Sequence, residues 1–61
     1  MFKVKRYVVE YERELSKILR GEESQLKILK IHNAVATGII TDLQAINALN
    51  DLYRQSPQFI Q

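Results

Sequence analysis

The chain has 61 residues, nine Lys and Arg, seven Asp and Glu, and a net charge of +2. That length allows one domain, 1–61, and buries only about 60% of the unfolded surface. Cysteine is absent and His32 is the one histidine, which excludes disulfides and thiolate metal sites and argues against a histidine-based metal site within one chain.

The first residues carry two competing patterns. Phe2, Val4, Arg6 and Val8 alternate with Lys3, Lys5 and Tyr7, as in a short strand or extended arm. Val4, Val8, Tyr11, Leu15, Ile18 and Leu19 instead follow steps of three and four, which is helical. From Tyr7 to Arg20 the helical period prevails, because it is longer and meets no glycine or proline. Arg6–Glu10, Glu10–Arg13 and Glu14–Lys17 stand at helix-neighbour spacing on the polar face. Gly21 is expected just past the end of this helix.

A second helix is expected from Glu23 to Thr37, with Glu22 and Glu23 favouring its positive end. Its apolar residues, Leu26, Ile28, Leu29, Ile31, Ala34, Val35 and Ala36, nearly encircle the axis. A helix of that kind is buried on more than one side, and so small a chain offers too little of itself to cover both. Gly38 then ends the segment. Thr41 and Gln44 have the spacing of a capping box for a third helix, Thr41–Gln55. Its apolar stripe is Ala45, Ile46, Leu49, Leu52 and Tyr53, with Leu43 at the edge and Asn47, Asn50, Asp51 and Arg54 facing away. Ser56-Pro57 stops it. Phe59 and Ile60 lie beyond.

No catalytic motif accompanies these elements. Gly-rich phosphate loops, nucleophile elbows and HExxH zinc motifs are absent. His32 is expected to pack in the core or an interface. Glu10 and Glu14 read as a solvated charged face rather than a carboxylate pair, because Arg13 and Lys17 flank them. The residues therefore indicate no enzyme, no cofactor, no metal and no small-molecule substrate. Ala34 and Gly38 have the separation of a helix-turn-helix, but Gln44 and Asn47 fall where that motif is apolar. The would-be recognition helix also has no Lys or Arg before Arg54, and phosphate contacts need cations. Lys3, Lys5 and Arg6 remain candidate nucleic-acid contacts. Membrane-surface binding is not expected, because the polar face of helix one mixes both signs. No run approaches the roughly 20 apolar residues of a membrane span. The N-terminus lacks the apolar core of a signal peptide, so the default compartment is the cytoplasm.

The apolar spacing Ile28, Ile31, Ala34 and Val35, the turn Gly38-Ile39-Ile40-Thr41, and the pair Leu52 and Tyr53 resemble the SHOCT family of short helical hairpins. That family has a similar G-I-I-T turn followed by acidic residues and an aromatic. Here the acidic run is reduced to Asp42, and Ala45 stands at the aromatic position. The resemblance covers 28–53 and implies an oligomerisation or interaction module with no catalytic residues. In size and charge the chain is also similar to small phage-encoded accessory proteins.

The expected fold is all-α, a small two- or three-helix domain with a helical hairpin around Gly38. The expected function is a non-enzymatic interaction module that self-associates through helices two and three as a homodimer or higher oligomer and modulates a larger protein. A small nucleic-acid-associated regulator with a basic N-terminal arm is the alternative. Ile28, Ile31, Val35, Ile46, Leu49 and Tyr53 are the interface candidates, and spacing alone does not separate interface from core.

Overall fold

The computed structural model describes residues 3–55. It contains three helices, α1 (Arg6–Ile18), α2 (Glu22–Ala36) and α3 (Asp42–Gln55), and each packs against the other two. Among the described residues there is no strand. Lys3 to Lys5 lead into α1 as irregular chain, so the strand reading of this segment fails where it is described. Its first part, Met1 and Phe2, lies outside the described residues, as do Ser56-Pro57, Phe59 and Ile60.

No side chain caps α1 at its N-terminus and no acid sits in its first turn. The three cations there oppose the positive helix end. Burial holds the helix instead. Val8 and Leu15 are fully enclosed, and Val4 and Tyr11 pack at the margin. The helix stops at Ile18, two residues earlier than the periodicity predicts, because Leu19 turns extended and sinks its side chain into the core. Gly21 consequently serves as the N-cap residue of α2, not as the close of α1. Its φ of 118° is a conformation that side chains resist.

The orphaned carbonyls at the end of α1 are taken by Gln25. Its Nε2 donates to the backbone oxygens of Ser16 (3.0 Å) and Leu19 (2.9 Å), while Ser16 Oγ donates to its Oε1 (2.6 Å). One residue of α2 therefore finishes α1 and ties the two helices together. Gln25→Ala removes three hydrogen bonds from a half-buried site and is expected to cost about 1–2 kcal/mol. Urea unfolding checks this, and a midpoint unchanged from wild type would contradict the clamp.

The α2–α3 turn follows the expected chemistry. Gly38 adopts φ 82°. Its N–H donates to Val35 O (3.2 Å), and the Ile39 N–H donates back to Ala34 O (2.8 Å). This double closure is a Schellman motif. Gln44 Oε1 then accepts from the Thr41 N–H (2.9 Å), and Thr41 Oγ1 accepts from the Gln44 N–H (3.1 Å). Both halves of the predicted capping box are formed.

The core comprises Val8, Leu15, Leu19, Ile28, Val35, Ala45, Leu49 and Leu52. Ile31, Ile40 and Ile46 pack around it. The third helix thus buries Ala45, Leu49 and Leu52 of the stripe expected of it, with Ile46 half-buried, but Tyr53 is exposed, and one residue expected outside the stripe is drawn in. Asn50 does not face away: it is half-buried and accepts a hydrogen bond from Tyr11 Oη, joining α3 to α1.

Candidate functional site

Four features of this small bundle are candidates for function: a buried polar pair, a basic cleft, a set of core-or-interface residues, and the apolar side chains left in solvent.

The polar pair arises from two interrupted stripes. Val8, Glu12 and Leu15 follow steps of four and three along α1; Ile28, His32 and Val35 follow steps of four and three along α2. Both polar residues therefore sit at core-facing positions. Where α1 meets α2, His32 Nδ1 donates to Glu12 Oε1 at 2.8 Å. A carboxylate only accepts, so Nδ1 carries the shared proton and Nε2 is left as the other ring nitrogen. The Glu12 side chain is 9% exposed and that of His32 36%. Glu12 Oε2 is buried without any partner. Burying such an atom costs about 1–3 kcal/mol. Chemically the arrangement is a base held by a carboxylate, yet no hydroxyl or thiol is hydrogen-bonded to the ring among the described residues. No group of three potential metal-binding side chains occurs among them either.

Glu12 is the residue that sequence reasoning missed. The signal was its register with Val8 and Leu15, which places it inward. The ion pairs expected around it on α1 do not close. Besides Glu12–His32, the pair within reach among the described residues is Glu23–Lys27 at 3.9 Å, on the surface of α2. Exposed pairs gain little in water and lose side-chain freedom, so Arg6–Glu10, Glu10–Arg13 and Glu14–Lys17 have little to hold them.

The basic residues divide. Lys3 and Lys5 line a shallow cleft with Val35, Gly38, Ile40, Thr41 and Asp42, so a carboxylate shares their site. Arg6 opens α1 and is exposed.

The core-or-interface set is now separable. Ile28, Val35 and Leu49 are enclosed within the single chain and offer little or no surface to a partner. Ile31 and Ile46 lie half-buried at the core margin. Tyr53 is exposed.

The apolar surface lies elsewhere. Tyr7, Ile18, Leu26, Leu29, Ile39 and Leu43 are each more than half exposed, Ile39 the most at 77%. The second helix is therefore covered on one side and open on the other. Leu26 and Leu29 line an open groove with Gly21, Glu22 and Gln25. Among the described residues no helix is long and apolar enough to cross a membrane.

No family profile, curated protein or solved structure matches this chain.

Proposed function

We propose that this chain is a non-enzymatic interaction module that self-associates and, in that form, modulates a larger protein. One observation carries the reading: among the described residues eight apolar ones are buried, while six large apolar side chains stand more than half in water. Scattered single residues of that kind are ordinary, but contiguous apolar ground marks contact sites, and Leu26 and Leu29 share one groove. Small domains without disulfides or metals also draw support from association. The likeness of the Gly38–Thr41 turn to the SHOCT hairpins agrees with an interaction role.

Sedimentation equilibrium tests the reading. Association that grows with concentration supports it. A monomer at every concentration up to about 1 mM overturns its self-associating form, because even weak interfaces populate dimers there.

A further inference from the structure

The outward side of α2 carries a pattern of its own. Counting from Glu22, the residues Glu22, Leu26, Leu29, Asn33 and Ala36 follow steps of four, three, four and three. That is the spacing of a coiled-coil seam. The inward residues Ser24, Ile28, Ile31 and Val35 repeat four, three, four on the nearly opposite side. Burial follows the division: Ile28 and Val35 are enclosed, whereas Glu22, Leu26, Leu29 and Asn33 are exposed. One short helix thus holds two seams, and the bundle uses one.

We propose that a second copy of this chain docks antiparallel on the outer seam of α2, with Leu26 of each copy against Leu29 of the other. This deepens the self-association reading and rests on it. Charge selects the occupant and its direction. Glu23 and Lys30 are seven residues apart on the same flank of the seam, and both are exposed. A two-fold axis between Leu26 and Leu29 brings Glu23 of one copy to Lys30 of the other, twice by symmetry. A parallel pair sets Lys30 against Gln25 and forms no such ion pair. The surface is therefore complementary to itself in one direction only. The turn residues Ile39 and Leu43 are more exposed, but the adjoining cleft carries Lys3 and Lys5, and nothing there specifies a partner. A two-leucine seam on a 15-residue helix belongs with small, transient interfaces.

Sedimentation of the full chain over a concentration series, with variants, decides the matter. Leu26→Lys is expected to weaken the dimer by more than about tenfold, since a charge replaces an apolar contact present twice. Glu23→Lys and Lys30→Glu are each expected to weaken it roughly fivefold, and the double reversal to return it to within about twofold, as exposed ion pairs of this strength predict. All three positions are exposed, and circular dichroism of dilute samples verifies that the variants fold. Direction is read separately by cross-linking, which the cysteine-free background permits. A Glu22→Cys chain mixed with an Asn33→Cys chain is expected to form a disulfide. Glu22→Cys alone is not, because the two copies of position 22 lie about 16 Å apart along the axis at 1.5 Å per residue. Self-association unaffected by Leu26→Lys and by both reversals overturns the seam and leaves the broader reading standing. A strictly monomeric wild type overturns both.

Discussion

Replacing His32 with alanine is expected to destabilise the folded chain by about 2 kcal/mol. The loss comes less from the missing hydrogen bond than from what remains. Glu12 keeps one oxygen already without a partner and loses the partner of the other. Breaking a fully buried pair from one side costs about 3–5 kcal/mol. The expected loss is smaller here because His32 is 36% exposed and water enters the space it vacates. A chain of this length has roughly 3–9 kcal/mol in total, so the effect is large. The reverse substitution, Glu12→Met, leaves a half-exposed imidazole that hydrates, and is expected to cost less than His32→Ala. Adding Glu12→Met to His32→Ala is expected to recover most of the loss, since no unpaired carboxylate then stays buried. Urea unfolding of the four proteins forms a double-mutant cycle. Equal costs for the two single variants, with no recovery in the double, would show that the buried carboxylate is not the source.

Leu49→Ala is expected to remove about 2–4 kcal/mol, the range for opening a cavity in a packed core. Leu49 is completely enclosed, beside Ala45, which is equally inaccessible. Neither a rotamer change nor water readily fills the gap. The melting temperature is expected to fall by about 10–20 °C or more, at 4–8 °C per kcal/mol for a domain of this size. The same fall is expected at every protein concentration, because the residue supports the single chain. Leu29→Ala serves as the contrast: an exposed position is expected to shift monomer stability by less than about 0.5 kcal/mol. Thermal melts in dilute solution compare the two. A melting temperature for Leu49→Ala that drops only in concentrated samples would move Leu49 from core to interface.

What was legible in the sequence was local. The α2–α3 turn needs only Gly38, Thr41 and Gln44, whose partners lie within a few residues, so spacing and side-chain chemistry suffice to predict both closures. The helices themselves follow from apolar periodicity. Contacts between helices were not legible. Glu12 and His32 are 20 positions apart, and each read alone is a polar residue among apolar ones. Gln25 is one polar residue among several in the sequence, and only the fold brings it to the end of α1. Asn50 looked solvent-facing because Tyr11, its partner, belongs to another element. Gly21 opens α2 rather than closing α1 for a related reason: the burial of Leu19 ends α1 early. The apolar girdle of α2 is enclosed on one side and exposed on the other, and burial was required to show which residues face inward. Leu26 and Leu29, absent from the interface candidates, are the outward pair. Ile28, Val35 and Leu49, present among them, are core.

The Tyr11–Asn50 bond has a kinetic consequence. It joins residues 39 positions apart, whereas α1 meets α2 and α2 meets α3 across turns of a few residues. Each neighbouring pair closes a short loop, so its search is brief; the first and third helices meet only after a longer closure. Chains dominated by such near-neighbour pairings relax in microseconds to milliseconds. Temperature-jump relaxation slower than that would point to a barrier other than the search itself, with the docking of α1 onto α3 as the step to inspect.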